Sequence, residues 1–420
     1  MKKANLFFFS LMEIFTKKLI SSIALIAVIG IAFSALPLTG CDDLNGNVKQ
    51  EVTLNGVTFN YNTVKDGYVL YKYSDNDVNV TIPVSVNGKP VIAIGAAAFA
   101  RKNIKSITIP PSVTSIGDMA FSGCRQLATV TFTGGSQLEY IGRWAFEYNT
   151  SLASITIPAS VTFIGERAFS YCTDLEQIIV ASGNTVYRSE GNCLILNEDN
   201  SLIAGFKTSV IPGSVTSIGD MAFFGSSLES LTIPGSVTSI GIHAFTGCTS
   251  LTTITIPESV TFIGHHAFYR CTSLTTITIP ESITFIDSSV FSDCTSLASI
   301  TIPASVTFIG FSAFYGCTSL ESVIFAYGSQ LESIHTGVFG DCTNLTSITI
   351  PASVTSMGYQ VFAGWTSQQT IIIPFNTLEE ANAVWQVSYG AAWMIDNRSS
   401  DGLTVAIIRN PSGVQLWPVQ

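Results

Sequence analysis

Apolar and polar positions alternate in a unit of about 23 residues that repeats from residue 91 onward. The unit is clearest in residues 251–271, LTTITIPESVTFIGHHAFYRC. One aromatic position marks eleven copies: Phe99, Phe121, Phe146, Phe169, Phe223, Phe245, Phe268, Phe291, Phe314, Phe339 and Phe362. The intervals are 22, 25, 23, 54, 22, 23, 23, 23, 25 and 23 residues. Such regular spacing indicates one supersecondary unit stacked along an axis.

The residue types within the unit predict its local structure. Ile254 and Ile256 alternate with threonines, which is typical of a strand with one face inward, so we predict one strand per coil. Pro257 cannot donate to a ladder and ends that strand. Gly264 permits a tight bend or a positive φ. The segment around Phe268 lacks alternation and is predicted to form a short helical turn.

Stacking these units predicts a repeat solenoid of the α/β class, mostly parallel β with short helical turns, forming a right-handed curved rod. Parallel strands lie about 4.8 Å apart, so eleven coils extend roughly 50 Å.

The solenoid is predicted to span 91–373 and needs a cap at each end. Alternating residues over 53–90, with a turn at Asn87-Gly88, predict a β-rich N-terminal cap. Residues 374–420 are assigned to a C-terminal cap whose helix begins within 376–386. The long interval contains an insert at 181–210, interpreted as a β-hairpin or, as the simpler alternative, an oversized repeat.

The first 40 residues are predicted to be a lipoprotein signal peptide. Lys17-Lys18 precede an apolar run, and Leu38-Thr39-Gly40-Cys41 resembles a lipobox, in which the thiol of Cys41 receives the lipid. The alternative is an uncleaved membrane anchor, because about 22 apolar residues can span a bilayer. Met12 is a second candidate start. Residues 41–52 are assigned to a lipidated flexible tether.

Composition argues against two classes of protein. Charged residues make up 11% and apolar residues 47% of the chain, which is typical of a buried core and not of a disordered chain. The formal net charge is −10, and Arg270 is the only lysine or arginine between Lys207 and Arg398. Nucleic-acid binding needs clustered basic residues, so no nucleic-acid partner is predicted.

Cysteines and histidines are the candidates for metal chemistry. Seven cysteines occupy one repeat position: Cys124, Cys172, Cys248, Cys271, Cys294, Cys317 and Cys342. Parallel Cβ directions in stacked coils suit bridging poorly, so we predict buried free thiols.

His243 and His266 share another repeat position, with His265 adjacent, which would place two imidazoles about 5 Å apart on successive coils. Other copies carry Met119, Trp144, Arg167 or Gln360 there. Because the position tolerates such variety, no metal site is predicted.

Catalytic constellations are also missing from the pattern. An active site needs irregular residues that break the repeat and converge in a pocket, and the abundant serines recur at turn positions. No glycine-rich phosphate loop leads from a strand into a long helix. The sequence therefore predicts a protein that is not an enzyme and has no cofactor.

The outward positions of the predicted strands form a Ser/Thr face, which we take as the candidate ligand face. Its hydroxyl residues are Ser230, Thr232, Thr253, Thr255, Thr276, Thr278, Ser299, Thr301, Ser347 and Thr349. Three apolar residues interrupt it: Ile179, Ile324 and Ile372. Aromatic residues in loops are further candidates: Trp144, Tyr148, Tyr171, Tyr269 and Tyr315. The alternative is purely structural, since threonine favours any half-buried strand.

The string ITIPxSVTxIGxxAFxxCxxL resembles the BspA-like leucine-rich repeats of bacterial surface antigens, over residues 53 to about 375. The resemblance implies a leucine-rich-repeat binding module that adheres to host matrix proteins, host cells or other bacteria, through a protein or glycan ligand. The alternative is an envelope lipoprotein with only bacterial partners. A lipid at Cys41 implies membrane attachment and outer-surface display, while Asp42 favours retention at the inner membrane instead.

Overall fold

A computed structural model describes residues 51–385 and 406–417. The predicted signal peptide, Cys41 and most of the tether lie outside the described residues, as does part of the predicted C-terminal cap. The described chain is a parallel-strand solenoid of about 13 turns with almost no helix.

Each regular coil contributes two parallel strands, one more than the sequence predicted. The first strands are β7 (Ser106–Ile109), β9 (Thr129–Phe132), β11 (Ser154–Ile157), β13 (Gln177–Val180), β18 (Ser230–Thr232), β20 (Thr253–Thr255), β22 (Thr276–Ile277), β24 (Ser299–Ile302), β26 (Ser322–Phe325), β28 (Ser347–Thr349) and β30 (Thr370–Ile372). The second strands are β8 (Ser115–Ile116), β10 (Tyr140–Ile141), β12 (Phe163–Ile164), β17 (Ser217–Ile218), β19 (Ser239–Ile240), β21 (Phe262–Ile263), β23 (Phe285–Ile286), β25 (Phe308–Ile309), β27 (Ser333–Ile334) and β29 (Ser356–Met357).

A glycine follows the second strand in most coils, where adjacent backbones approach closely. A Cβ on Gly264 would lie 2.7 Å from the backbone nitrogen of Ile242 in the preceding coil. At this site glycine lets the two backbones approach closely, and the Gly264 amide donates to the carbonyl of Ile240 at 2.9 Å. The role of this glycine is therefore close approach and not a positive φ. Asp287 and His335 occupy the equivalent position in two other coils.

The segment around the repeat phenylalanine is a series of turns and not a helix. The Phe268 amide donates to the carbonyl oxygen of Val290 in the next coil at 2.9 Å. The Ala267 amide donates within its own coil, to the carbonyl oxygen of Gly264 at 3.1 Å. His266 and Arg270 have φ values of 57° and 58°. A right-handed helix does not contain left-handed residues four positions apart, so the segment forms turns that bond from coil to coil.

The repeat phenylalanines form the centre of the core. Rings of adjacent coils stack with centroids 5.0 to 6.1 Å apart, as between Phe245 and Phe268 at 5.1 Å and an interplanar angle of 1°. Because each coil packs only on its neighbours, the stacked rings join the cores of successive coils along the solenoid.

The seven cysteines of the repeat position lie beside this column as buried free thiols, as predicted, and Cys193 of the insert is also free and buried. Their sulfurs hydrogen-bond to the carbonyl of the phenylalanine in the preceding coil, as from Cys271 to Phe245 at 3.2 Å. Burial raises the pKa of these thiols, to about 11 for Cys124 and about 12 for Cys172.

At the N-terminal end lie β1 (Glu51–Leu54), β2 (Val57–Asn62), β3 (Gly67–Tyr73), β4 (Asn79–Thr81), β5 (Ser85–Val86) and β6 (Lys89–Ile94). The strands β1, β2 and β3 are antiparallel neighbours, and β3 joins the solenoid through parallel pairing with β6. The predicted turn at Asn87-Gly88 is confirmed, because it joins the antiparallel strands β5 and β6 with φ values of 49° and 76°.

The C-terminal end holds the one α-helix of the described residues, α1 (Leu378–Val384), followed by β31 (Ile407–Arg409) and β32 (Gln415–Trp417). The predicted helix start is confirmed: Thr377 and Glu380 form a capping box. The buried indole of Trp385 donates to the Val354 carbonyl at 2.9 Å, which fixes the helix end to the last coils.

Candidate ligand face, insert and histidine cluster

The outward residues of the first strands form two columns that run from coil to coil. Parallel register places Ser230 opposite Thr253 and Thr232 opposite Thr255. All ten predicted hydroxyl residues are exposed: Ser230, Thr232, Thr253, Thr255, Thr276, Thr278, Ser299, Thr301, Ser347 and Thr349. The ladder geometry therefore makes a regular, uncharged and hydrogen-bonding surface along the solenoid.

The three isoleucines lie in the second of these columns, as the sequence suggested. Ile179 pairs with Thr156, Ile324 with Thr301 and Ile372 with Thr349. Ile324 is 53% exposed and Ile179 40%, whereas Ile372 is only partly exposed. Ile324 is thus the most accessible apolar side chain of the three.

An open depression of about 630 Å³ lies beside Ile324. Its lining includes Phe325, Ser347, Thr349 and Pro351. Among the described strands, β26 pairs with β24, while β28 pairs with β30, so the first-strand ladder is interrupted between β26 and β28. The depression lies at this interruption.

Tyr327 stands at the edge of the same coil, in a turn that adds two residues to the repeat. Its relative exposure is 104%, and the turn closes through a bond from the Ser329 amide to the Ala326 carbonyl at 3.1 Å. Gly328 has a φ of 76°, as a type II turn requires. Tyr327 was not among the residues predicted from the sequence. The signal was present in the 25-residue interval, because the other such interval carries Gly134 at the equivalent position.

The loop aromatics named from the sequence lie in the turn segments near the repeat phenylalanines, away from the first-strand columns within each coil. Tyr148 and Tyr315 are exposed, and Trp144, Tyr171 and Tyr269 are partly exposed. Tyr148 and Tyr171 stack with centroids 4.3 Å apart. Two of the five therefore pack on each other, which reduces the surface they offer to a partner.

The insert folds into three antiparallel strands, β14 (Tyr187–Glu190), β15 (Cys193–Leu196) and β16 (Ser201–Gly205). The last of these joins the second-strand ladder through parallel pairing of Ser201 with Ser217. Along the edge of β13 that faces the insert, side chains take the place of a neighbouring strand. The Ile178 amide donates to Oδ1 of Asn192 at 2.8 Å, and the Val180 amide donates to Oγ of Ser189 at 2.9 Å.

Packing also changes at the insert. The buried apolar residues separate there into two clusters, one on each side. A cavity of about 270 Å³ lies at this junction, lined in part by Arg167, Tyr187, Leu194 and Phe224. The Arg167 guanidinium lies 4.1 Å from the centre of the Phe224 ring and forms an ion pair with Glu147 at 2.8 Å.

His243, His265 and His266 lie together, and each offers a nitrogen within 4.8 Å of the others. The stacked rings of His243 and His266 have centroids 4.7 Å apart, close to the spacing expected from the repeat. Burial, then the neighbouring His266 and His265, lower the pKa of His243 to about 4. Burial also lowers the pKa of His266. These two imidazoles are neutral at pH 7.

The two ladders and the stacked turns define a parallel-β repeat solenoid. The model of the BspA type leucine-rich repeat region matches the chain in six copies, over residues 89–193, 203–321 and 261–385. These segments span more than half of the sequence, so the chain belongs to this family. No curated protein matches it. Within residues 51–385 and 406–417, no helix combines the length and apolar character needed to cross a membrane.

Several solved structures share this fold. A leucine-rich repeat protein from Eubacterium ventriosum is 24% identical with a TM-score of 0.56, and the match covers 75% of this chain and 95% of that one. A leucine rich cell surface protein from Faecalibacterium prausnitzii is 25% identical with a TM-score of 0.50, covering 81% and 94%. The pneumococcal vaccine antigen PcpA is 19% identical with a TM-score of 0.52, covering 81% and 98%.

Proposed function

We propose that this protein is a non-enzymatic adhesion module, held at the bacterial cell surface by lipid on Cys41, that binds host matrix proteins, host cells or other bacteria. Repeat solenoids commonly bind partners along their extended surfaces, where many weak contacts add together. The leucine-rich repeats of this family are generally binding modules, and the relative from Faecalibacterium prausnitzii is described as a cell surface protein.

The observation that carries the proposal is the exposure of Ile324 and Tyr327 in one coil of the polar face, beside the open depression. The hydroxyl columns offer hydrogen bonds to an extended protein or glycan. Ile324 and Tyr327 add the apolar and aromatic contacts that dominate binding energy in interfaces.

Binding of the full-length chain, purified in detergent, to a panel of fibronectin, fibrinogen, glycans, epithelial cells and bacterial cells tests this function. We expect saturable binding to at least one host component or to other bacteria. Binding confined to isolated envelope components of the producing cell would favour the alternative, an envelope protein with only bacterial partners. An absence of binding to the panel and also to these envelope components would contradict both.

Protease treatment of intact cells tests the proposed location. A surface-displayed protein is cleaved in unbroken cells, whereas retention at the inner membrane, as Asp42 would favour, protects it until the cells are lysed. A Cys41→Ser variant serves as the control for lipid attachment, because it lacks the thiol that receives the lipid. If the leader is a lipoprotein signal, the wild type loses it and begins at a lipidated Cys41, whereas Cys41→Ser is neither lipidated nor cleaved and keeps the leader. Equal masses of the two proteins, apart from the substitution itself, would favour an uncleaved anchor.

A further inference from the structure

We propose that His243, His265 and His266 bind a divalent transition-metal ion of the zinc type. Three of the four histidines in the chain lie in this cluster. Imidazole nitrogen is a common ligand of Zn²⁺, and three protein ligands with one open position form a familiar coordination set.

The backbone holds the three rings in a fixed arrangement. His243 and His266 occupy equivalent positions in successive coils, both with left-handed φ values of 55° and 57°. The His243 amide donates to the carbonyl of His265 at 3.1 Å. The same bond that joins the two coils therefore places the third imidazole next to the stacked pair.

The spacing of the nitrogens suits one ion after a small closure. One ring nitrogen of each histidine lies within 4.8 Å of a ring nitrogen of the other two. Three ligands at about 2.1 Å from a tetrahedral ion are about 3.4 Å apart, so the widest pair must approach by about 1.4 Å. Side-chain rotation supplies such a movement without a shift of the coil backbone.

Thr246 fixes the tautomer of His243. The Thr246 hydroxyl donates its only proton to the carbonyl of His266 at 2.6 Å. It therefore accepts from Nδ1 of His243, 3.1 Å away, which places the ring proton on Nδ1. Nε2 of His243 consequently carries a free lone pair. A bond of this kind at the other ring nitrogen commonly fixes the tautomer and the orientation of a metal-ligating histidine.

His266 supplies the second observation. Its Nδ1 is buried and has no hydrogen-bond partner among the described residues. An unpaired buried polar atom is costly, and coordination of an ion by this nitrogen would satisfy it.

Charges around the cluster are balanced. Asp220 lies near His243 and Asp287 near His266, where each acts to raise the pKa of the neighbouring ring. Arg167 acts in the opposite direction on His243, and it is paired with Glu147. The two carboxylates therefore favour a bound cation, while the Arg167 guanidinium is held in an ion pair with Glu147.

The varied residue types at this repeat position do not by themselves predict a metal site; the convergence of the three histidine nitrogens in the structure is what indicates one. Other coils carry Met119, Trp144 or Met221 there, so the fold does not require histidine. Three histidines that depart from the repeat and converge are what a site built on a repeat scaffold would show.

Isothermal titration of the full-length chain with ZnCl₂ at pH 7.5 tests the proposal. We expect one Zn²⁺ per chain, and at least a hundredfold weaker binding in His243→Met and His266→Met. Methionine occupies this position at Met119 and Met221, so both variants should fold. Thr246→Val should weaken binding by about 10-fold to 100-fold, since it removes only the hydroxyl that orients His243.

His335→Gln is the matched control, because it removes the one histidine outside the cluster. It should bind zinc as the wild type does. Co²⁺ provides an independent readout, since a tetrahedral site gives visible absorption bands that the His266→Met variant should lack. No stoichiometric zinc binding by the wild type, or unchanged affinity in both methionine variants, would overturn the proposal.

Discussion

The sulfur of Cys294 donates a hydrogen bond to the carbonyl oxygen of Phe268, 3.2 Å away in the preceding coil. The same oxygen accepts the amide of Cys271 at 3.1 Å, so both of its lone pairs are used. This pairing recurs at the other cysteines of the repeat position. The last coil carries Trp365 at this position, and the indole of Trp365 donates to the carbonyl oxygen of Phe339 at 2.9 Å. In these coils the position therefore supplies a buried donor and does not form a disulfide.

Replacement of this donor should destabilise the solenoid. We predict that Cys294→Ala lowers the free energy of unfolding by about 1–3 kcal/mol, because it leaves a small void and removes the thiol donor. Cys294→Ser should lose less, because its hydroxyl can still donate. Thr278→Ala, on the exposed face, is the control and should change stability by less than about 0.5 kcal/mol. Urea denaturation measures these differences, and equal stability of Cys294→Ala and wild type would refute the role of the column.

The side chain of Asn192 accepts a hydrogen bond from the Ile178 amide of β13 at the insert. Loss of this side chain should leave that amide without its acceptor. In Asn192→Gly the left-handed backbone, with φ at 57°, is retained, but the acceptor for the Ile178 amide is lost. We predict a loss of about 1–3 kcal/mol and faster hydrogen exchange at the Ile178 amide. Asn197→Gly, in the exposed turn between β15 and β16, should leave that exchange rate unchanged. Unaltered protection of Ile178 in Asn192→Gly would contradict this account.

His335 gives the solenoid a defined pH dependence. Burial lowers the pKa of His335 below its usual value of 6.5, and the ring packs against Phe308 and Phe311. A histidine with a lowered folded-state pKa contributes stability above pH 6.5, and this contribution is lost as pH falls through the folded-state pKa. His335→Gln should therefore show a smaller decrease in melting temperature between pH 7.5 and 5. Thermal unfolding in EDTA measures this, and identical pH profiles of the two proteins would exclude the effect.

The sequence specified the coil well because the same constraints recur in every copy. Alternation at Ile254 and Ile256 fixed the inward face, and the capping box at Thr377 fixed the helix start. Two features could not be predicted from the pattern. The second strand is only two residues long, too short for any alternation to appear. The turns at Phe268 depend on bonds to the next coil, which no local propensity encodes.

The candidate sites divide in the same way. Strand alternation placed the hydroxyl columns and the exposed isoleucines correctly. Tyr327 was not predicted because it lies outside the repeat pattern, in a longer turn where a two-residue insertion exposes it. The tautomer of His243 depends on Thr246 and on the carbonyl of the next coil, a relationship visible only in three dimensions.

Binding by a double variant, Ile324→Thr with Tyr327→Gly, tests the central claim most directly. Both changes restore residues that other coils carry at these positions, Thr301 and Gly134, so the fold should be kept. Phe311→Ser is the matched control: it removes an exposed aromatic outside the first-strand columns, where the preceding coil has Ser288. For the ligand found in the panel, we predict at least a tenfold increase in Kd for the double variant and no change for Phe311→Ser. Equal affinities of wild type and double variant would contradict binding through this face.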